Sequence, residues 1–289
     1  MKPVIPVITD SCGPDIYSNH LPSVLPTISI ITICRNAEAT LKTTMVSVLT
    51  QTYAPIEYII MDGLSSDHTV DIARQVASLF PERNVKIISE ADSGISDAMN
   101  KSVMMSNGTV VAILHAGDYY VGQTVIEKVM TSFKRDGWRW GVAKTIVVKT
   151  NGQQLHTSRL RSDYRHLLKQ NFISHPSTFV VSDIFAKHGF FRVDLKQAMD
   201  YEFWLRIAFK GGERYKELPF ITTCFLDGGR SSQVGELLHY LIILRREMRR
   251  WVHGLTLLAD MLFLARVVLF SGYISLKRIV SRTSRASVE

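Results

Sequence analysis

The stretch ISIITI at residues 28–33 decides the fold of this chain. Four of its six residues are isoleucine, so neither face of the predicted strand is clearly polar. A short continuous apolar run of this kind predicts a strand that is buried on both faces, which is typical of a parallel sheet. Cys34, Arg35 and Asn36 follow directly and mark the carboxyl end of that strand.

Further strands and helices alternate after this first strand. Strands are predicted at residues 57–61 (EYIIM), 85–89 (VKIIS) and 109–114 (TVVAIL). Apolar residues at helical spacing predict helices near residues 41–49, 67–80 and 95–105. Strict alternation of strand and helix predicts right-handed βαβ units in a doubly wound α/β sheet, with ligands at the carboxyl ends of the strands.

Each of these four strands is followed by residues that a packed sheet does not need. They are Cys34-Arg35-Asn36, Asp62-Gly63-Leu64-Ser65-Ser66-Asp67, Glu90-Ala91-Asp92-Ser93-Gly94 and His115-Ala116-Gly117-Asp118. Asp67 and Asp97 lie at predicted helix starts, where a carboxylate caps backbone N–H groups. Asp62 and Asp118 directly follow strands, so we expect them to belong to a binding site.

The rest of the chain is less regular. Helices are predicted at residues 123–135 and 197–209, extended segments at residues 141–148 and 171–181, a basic polar stretch at residues 150–172, and a flexible loop at residues 228–232. The helix predicted at residues 197–209 carries two carboxylates at its start, Asp200 and Glu202. The strand-like segment contains His175 before Pro176.

The positive charge of the chain is concentrated near its C-terminal end. The 289 residues include 34 Lys and Arg against 26 Asp and Glu, a formal net charge of +8. From residue 236 onward there are nine basic and four acidic residues, which leaves a net charge of only +3 for the first 235 residues. Because a nucleic-acid-binding domain carries its basic stripe on the fold itself, this distribution argues against nucleic acid as a partner.

This C-terminal segment also contains a long apolar stretch, LTLLADMLFLARVVLFSGYISL at residues 255–276. Asp260 and Arg266 interrupt it, so it falls short of the roughly 18–20 uncharged residues of a membrane span. Flanking cations favour a helix at the interface of an anionic membrane. Packing on the main domain or on a second subunit, and a tilted span, remain alternatives. We expect an N-terminal extension at residues 1–26, a catalytic domain at residues 27–235 and a basic helical tail at residues 236–289.

Several nucleotide and hydrolase motifs are absent from the sequence. There is no GxxxxGK[ST], no GxGxxG after the first strand, no GxSxG and no HExxH. Three cysteines without close pairing exclude a disulfide framework and a four-cysteine zinc site. An acidic sheet edge without a glycine cradle predicts a divalent metal that bridges carboxylate and diphosphate, with Asp118 as its best ligand.

Taken together, the motifs resemble the family 2 glycosyltransferases of the GT-A fold. The stretches that carry the resemblance are ISIITICRNAEATL, SVLTQTYAPIEYIIMDGLSSDHTVDIA, SEADSGISDAMNKSV, VVAILHAGDYY, SHPSTFV and MDYEFWLRI, within residues 28–232. Similar bacterial enzymes assemble exopolysaccharides, O-antigens and glycolipids. The resemblance implies a mixed sheet and an inverting transfer from a nucleotide-diphospho-sugar to a glycan or lipid-linked hydroxyl.

The resemblance also implies roles for individual residues. The positions that match nucleotide-sugar contacts are Cys34, Arg35, Asn36, Asp62, Asp92, Gly94, Asn100 and Lys101, with Glu38 in place of an acid that many members have at Ala37. Asp118 matches the metal ligand for Mg²⁺ or Mn²⁺, and it is the only acid left in the family's DxD-like element. Asp200 matches the catalytic base with Glu202 as the alternative, and His175 matches an acceptor contact.

Two other functions remain open on the sequence alone. A nucleotidyltransferase shares an acidic metal site, but it would carry a glycine-rich loop after the first strand. A non-catalytic membrane-associated scaffold is the second alternative, because only one acid remains at Asp118. We expect a cytoplasmic enzyme at the inner face of the cell membrane, with a homodimer as a further possibility.

Overall fold

The computed structural model describes residues 25–149, 152–227 and 234–251, together with Met261, Ala265 and Leu269. The strands in these ranges are β1 (Ile28–Cys34), β2 (Ile56–Asp62), β3 (Asn84–Ser89), β4 (Val110–Ile113), β5 (Tyr119–Tyr120), β6 (Trp140–Val148), β7 (Gln154–Thr157), β8 (Thr178–Val181) and β9 (Lys216–Leu226). The α-helices are α1 (Leu41–Leu49), α2 (Thr69–Ser78), α3 (Ile95–Met105), α4 (Val125–Asp136), α5 (Asp183–His188), α6 (Met199–Leu205) and α7 (Val234–Trp251). Short 3₁₀ turns cover Tyr164–Leu168 and His175–Ser177, and a π-helical turn covers Arg206–Lys210.

These strands form one mixed sheet in the order β3-β2-β1-β4-β8-β6-β9-β5, and β7 pairs with β6. β1 runs parallel to both β2 and β4, with Ile28 opposite Ile56 on one side and Val110 on the other. β8 runs antiparallel to β4 and to β6. The predicted βαβ series is therefore confirmed for β1–β4, and the antiparallel β8 makes the sheet as a whole mixed.

The first strand is buried along its whole length, as its apolar run predicts. Ile28 and Ile30 pack in a core with residues of α1, α2 and α4. Ile31 and Ile33 pack in a second core with residues of α3, α6 and α7. Because successive side chains of a strand point to opposite faces, one sequence run supplies both cores.

Two predicted elements differ from the structure at their boundaries. The helix predicted at residues 197–209 begins only at Met199, because Ala198 adopts a left-handed conformation with φ 58°, and it ends in the π-helical turn. In the strand-like stretch at residues 171–181, only β8 is a strand. Pro176, which has no N–H to give a ladder, lies in the preceding 3₁₀ turn.

The first part of the tail packs on the body of the protein. Leu241, Leu244 and Met248 of α7 are buried in the core on the α3 face of the sheet. Arg245 donates a hydrogen bond to the carbonyl of Leu168. Within the described ranges, no helix is both long enough and apolar enough to cross a membrane. Residues 1–24, the predicted loop at residues 228–232 and most of the tail after Trp251 lie outside the described residues.

Candidate active site

Asp62 at the end of β2 is a buried carboxylate with several hydrogen-bond donors. It accepts hydrogen bonds from the backbone N–H of Ser65 at 3.0 Å, from the Ser65 hydroxyl and from the Ser89 hydroxyl at 2.6 Å. The Cys34 thiol lies 4.0 Å from Asp62 Oδ1. Burial, followed by the negative charges of Asp62 and Asp67, raises the pKa of Cys34 to about 12. Cys34 is therefore a protonated thiol at neutral pH, and it can line a binding site but is a poor nucleophile.

Hydrogen bonds join the loops that follow β1 and β2. The backbone N–H of Asn36 donates to Ser65 Oγ at 2.7 Å, and Asn36 Oδ1 accepts from the N–H of Ser66 at 2.9 Å. Glu38 accepts from the N–H of His68 at 3.1 Å. Asn36 and Glu38 thus use polar groups to hold the loops together, whereas their predicted contacts with a nucleotide-sugar stay predictions.

The loop after β2 also lies against the loop after β3. A side chain at Gly63 would bring its Cβ within 2.4 Å of Asp92 Oδ2 and 3.5 Å of the Arg35 side chain, so the loops approach closely only with glycine here. Asp92 accepts a hydrogen bond from the N–H of Gly94 at 2.9 Å. Gly94 has φ 133°, which other residues rarely adopt. Arg35, Asp92 and Gly94 therefore lie at one edge of the sheet, as predicted.

Lys101 and Asn100 of α3 are engaged within the protein. Lys101 Nζ donates to the carbonyl of Ala91 at 2.7 Å and pairs with Glu90 at 3.2 Å and with Asp97 at 3.4 Å. The hydrogen bond to Glu90 is the main reason why the pKa of Lys101 is raised. A phosphate contact of this side chain would therefore compete with two carboxylates, and the predicted role stays a prediction.

The Asn100 amide pairs with the backbone of a distant residue. Its Nδ2 donates to the carbonyl of Phe191 at 2.7 Å, and its Oδ1 accepts from the N–H of Phe191 at 2.9 Å. These two bonds tie α3 to the segment between α5 and α6. In this geometry Asn100 supports the wall of the site, and its predicted contact with a nucleotide-sugar is not part of the observed bonding.

Asp118 differs from these partnered side chains. The neighbouring Gly117 has φ 108° and donates its N–H to Thr44 Oγ1 at 2.9 Å, which fixes the loop after β4. The Asp118 carboxylate is only 4% exposed, and it accepts one long hydrogen bond, from the N–H of Leu226 at 3.3 Å. Burial raises the pKa of Asp118 to about 7. A buried carboxylate with so few donors is well suited to a cation.

No cluster of three or more metal-ligating side chains occurs in the described part of the chain. Asp118 would then be a single protein ligand. This fits Mg²⁺ and Mn²⁺, which are commonly held by one or two carboxylates together with substrate phosphates and water. The residues present therefore fit the predicted metal, provided that the substrate supplies further oxygen ligands.

Asp200 and Glu202 have different surroundings at the start of α6. Glu202 is buried and accepts two hydrogen bonds from Arg206, at 2.8 and 3.0 Å. Arg206 also donates to the carbonyls of Gly189 at 3.1 Å and Phe190 at 2.7 Å. Glu202 is thus one half of a buried ion pair that holds the α5–α6 connection, which leaves it poorly placed to take a proton from a substrate.

The Asp200 carboxylate has weaker partners. Asn171 Nδ2 donates to it at 3.4 Å. Burial raises the pKa of Asp200, and hydrogen bonds from the backbone of Tyr201 and from Asn171 offset only part of this effect. A carboxylate with a raised pKa is a better proton acceptor at neutral pH than an ordinary aspartate. Between the two candidate bases, the surroundings favour Asp200.

A pair of stacked histidines lies next to α6, the helix that carries Asp200. The rings of His115 and His175 are 5.3 Å apart at an angle of 25°, and His175 also contacts Phe191 and Trp204. Burial lowers the pKa of His175 to about 4. Burial, followed by the neighbouring His175, lowers the pKa of His115 to about 3, and the charge of Asp200 opposes this shift. Both imidazoles are therefore neutral at physiological pH.

The site residues predicted from the sequence do not include His115 or Asn171. His115 lies three residues before Asp118 in the same loop, and that position was the available signal. Asn171 is brought to Asp200 across 29 residues of chain, which no local pattern reveals. Gln197 is 6% exposed, and neither its Oε1 nor its Nε2 has a partner in the described structure.

The sequence model of the family described as Glycosyl transferase family 2 matches residues 29–193. This chain belongs to glycosyltransferase family 2. An uncharacterized glycosyltransferase of Mycobacterium tuberculosis is 30% identical over 190 residues, which cover 63% of this chain and 69% of the relative. A PGL/p-HBAD biosynthesis glycosyltransferase of Mycobacterium bovis is 29% identical over 185 residues, with the same coverages of 63% and 69%.

Solved glycosyltransferase structures share the fold of this family 2 member. TarS 1–349 of Staphylococcus aureus, in complex with UDP-GlcNAc, has a TM-score of 0.64 at 15% identity and covers 84% of this chain and 71% of its own. A mannosyltransferase of Pyrobaculum calidifontis, in complex with GDP-Man and Mn²⁺, has a TM-score of 0.61 at 15% identity, with coverages of 92% and 82%. The predicted GT-A fold and the predicted enzyme class, glycosyltransferase, are confirmed.

Proposed function

We propose that this glycosyltransferase moves a sugar from a nucleotide-diphospho-sugar, with UDP-sugars as the first class to test, to a hydroxyl of a glycan or lipid-linked acceptor. One observation carries the proposal. Among the carboxylates at this end of the fold, the buried Asp62 and Glu202 are saturated by donors, whereas the buried Asp118 and the partly exposed Asp200 are not. The two under-partnered carboxylates supply the two functions that an inverting transfer needs, a metal ligand and a base.

The edge formed by the loops after β1, β2 and β3 supports the donor assignment. Asp62 is held rigidly by Ser65 and Ser89, so a nucleoside would meet a preorganised acceptor of hydrogen bonds. Arg35 is exposed beside Gly63, where it would meet an anionic donor. The complexes of TarS with UDP-GlcNAc and of the mannosyltransferase with GDP-Man give the same general class of ligand for proteins of this fold.

Asp118 would hold Mg²⁺ or Mn²⁺ together with oxygens of the donor diphosphate. When bound, such a cation supplies Lewis-acid stabilisation of the charge on the leaving nucleoside diphosphate. The protein contributes a buried carboxylate whose pKa is raised in the absence of a cation, and a loop fixed by the hydrogen bond between Gly117 and Thr44.

Asp200 would act as the general base. Its carboxylate takes the proton of the acceptor hydroxyl while that oxygen attacks the anomeric carbon and the bond to the diphosphate breaks. Attack from the side opposite to the leaving group inverts the configuration at the anomeric carbon. Asn171 would orient the carboxylate, and general-base catalysis of this kind contributes roughly 10²–10⁴-fold in rate.

The experiment is a transfer assay on the full chain, with a panel of UDP- and GDP-sugars, with Mn²⁺ and with EDTA. We expect transfer that EDTA abolishes. Asp118→Ala should lower the rate by about 10²–10³-fold, and Asp200→Asn by about 10²–10⁴-fold. Asp71→Asn, at an exposed carboxylate of α2, is the control, and it should leave the transfer rate and its loss in EDTA unchanged. Normal transfer by both site variants would overturn the proposal.

The basic tail supports a peripheral location at the cytoplasmic face of a membrane, where a lipid-linked acceptor is available. Because α7 packs in the core, the sharpest truncation keeps it and ends the chain at Trp251. We expect the full chain, but not the truncated one, to sediment with vesicles that contain anionic lipid. Equal sedimentation of the two chains would contradict a membrane role for the residues after α7.

A further inference from the structure

His115 lies between the loop that carries Asp118 and the helix that carries Asp200, because its ring stacks on His175 and the His175 ring contacts Trp204 of α6. It lies three residues before Asp118 in the loop after β4, and its carbonyl accepts the N–H of Asp118 at 3.0 Å. Its imidazole is close enough to Asp200 for the two groups to act on each other electrostatically.

The chemistry of a single displacement fixes what must lie at such a position. In the proposed reaction, Asp118 would hold the donor diphosphate through the divalent cation, and Asp200 would hold the attacking hydroxyl. The anomeric carbon lies between these two groups when the reaction occurs, because the incoming and outgoing oxygens are on opposite sides of it. A side chain between the loop of Asp118 and α6 is therefore within reach of the sugar ring that would be transferred.

The His115 ring is suited to bind a sugar hydroxyl. It is partly exposed, and no described residue forms a hydrogen bond with either ring nitrogen. A neutral imidazole has one donor nitrogen and one acceptor nitrogen, which matches a hydroxyl that both donates and accepts. The stacked His175 ring, itself packed against Phe191 and Trp204, limits the orientations that the His115 ring can take.

We propose that His115 determines which sugar is transferred, through a hydrogen bond from its imidazole to a hydroxyl of the donor sugar, and that His175 is the positioning residue that holds this ring. The inference rests on the proposed function, since it needs a nucleotide-sugar donor. It assigns to this chain a specificity contact that lies outside the nucleotide and metal sites.

The test compares the wild-type full chain with His115→Ala, His115→Asn and His175→Ala in the presence of Mn²⁺. Affinity for UDP is measured by calorimetry, and kcat/KM is measured for UDP-glucose, UDP-galactose, UDP-GlcNAc and UDP-GalNAc. His156→Ala, at an exposed histidine of β7, is the matched control. A thermal melt of each variant reports whether it is folded, and His115→Asn provides a milder change if the alanine variant is unstable.

We expect His115→Ala to keep the UDP affinity of the wild type within about twofold. Its kcat/KM for the preferred sugar should fall by about 10–100-fold, and the preference over the other sugars should shrink by at least tenfold, since a lost contact to a substrate hydroxyl weakens discrimination. His115→Asn, which can still donate and accept, should retain more of the preference. His175→Ala should shift it in the same direction by a smaller factor.

Unchanged ratios among the sugars in both folded His115 variants would overturn this inference. So would a shift of the acidic limb of the pH profile of kcat/KM with unchanged ratios, because that result would mean that His115 only tunes Asp200. If the wild-type chain transfers no sugar from any nucleotide-sugar, the proposed function itself fails. If the wild type transfers and the ratios hold, only the inference about His115 fails.

Discussion

The proposed donor edge consists of the loops after β1, β2 and β3, and the proposed reactive centre consists of Asp118 and Asp200. The carboxylates of these two regions differ in how fully they are hydrogen-bonded. At the donor edge, Asp62 and Asp92 accept hydrogen bonds from the serines and glycine of their own loops. At the reactive centre, Asp118 has one long hydrogen bond and Asp200 has weak ones, and burial raises the pKa of both. The first region is therefore already hydrogen-bonded within the protein, whereas the second has unused bonding capacity, which in the proposed function a cation and a substrate would take up.

The largest effect on stability is expected at the buried ion pair next to the base. Glu202→Gln leaves the Arg206 guanidinium without its carboxylate partner, and breaking a buried pair in this way costs about 3–5 kcal/mol. Chemical denaturation measures this loss in the free energy of unfolding. Asp71→Asn, which removes a partner of the exposed pair with Arg74, should cost less than about 1 kcal/mol. Equal stability of wild type and Glu202→Gln would mean that this carboxylate is not structural.

The Asp118 carboxylate, unlike that of Glu202, is expected to destabilise the folded protein at neutral pH when no cation is present. Its pKa is about 7 in the folded protein, above the ordinary value of 3.8, so the folded state holds the proton more tightly than the unfolded chain. Stability therefore falls as the pH rises from about 4 to about 7, by at most about 4 kcal/mol. In EDTA, Asp118→Asn should be more stable than the wild type at pH 8 and equal to it near pH 4. A melt at both pH values checks this, and a less stable variant at pH 8 would contradict it.

Glu57 provides the matching case of a fully partnered carboxylate. Burial alone would raise its pKa, but hydrogen bonds from Asn107, Lys86 and Ser29 outweigh burial and lower the pKa to about 2. The stabilisation is thus fully present above about pH 4.5, and it is lost as the pH falls through about 2, with a size of up to about 3 kcal/mol. Acid unfolding of Glu57→Gln should show a shallower loss between these pH values. An identical slope in the variant and the wild type would refute the assignment.

The smallest effect concerns the backbone of the donor edge. Leu64 is 55% exposed and has φ 53°, a left-handed conformation that costs a non-glycine residue roughly 1–2 kcal/mol. Leu64→Gly removes this strain but adds chain entropy in the unfolded state, so we expect a net gain of about 0.5–1 kcal/mol. Leu79→Gly, at an exposed leucine with an ordinary φ of −79°, should lose stability instead. A loss in both variants would mean that Leu64 is not strained.

The first half of the fold could be predicted from sequence because its signals are local. The apolar runs of β1 and β2 and the helical spacing of α1 each lie within about ten residues. β9 was not predicted, since the stretch KELPFITTCFL mixes polar residues and Pro219 with its apolar positions. Its strand character comes from pairing with β6, which is about 75 residues away along the chain.

The candidate site was predictable in its residue types and less so in its roles. The sequence could not separate Asp200 from Glu202 by position alone, although Arg206 four residues after Glu202 is a spacing at which helical side chains meet. The pairing of Asn100 with Phe191, across 91 residues, has no local signal at all. The stack of His115 on His175 has no local sequence signal either, because it depends on how β4 and the turn before β8 meet.

The most direct test of the whole account measures the transfer rate and the melting temperature on the same preparations of Asp200→Asn and Glu202→Gln. The account predicts a crossed result. Asp200→Asn should melt at or above the temperature of the wild type and lose about 10²–10⁴-fold in rate, while Glu202→Gln should melt well below the wild type and keep most of its rate at temperatures where it is folded. A wild-type rate in Asp200→Asn, or a loss of rate in folded Glu202→Gln as large as in Asp200→Asn, would contradict it.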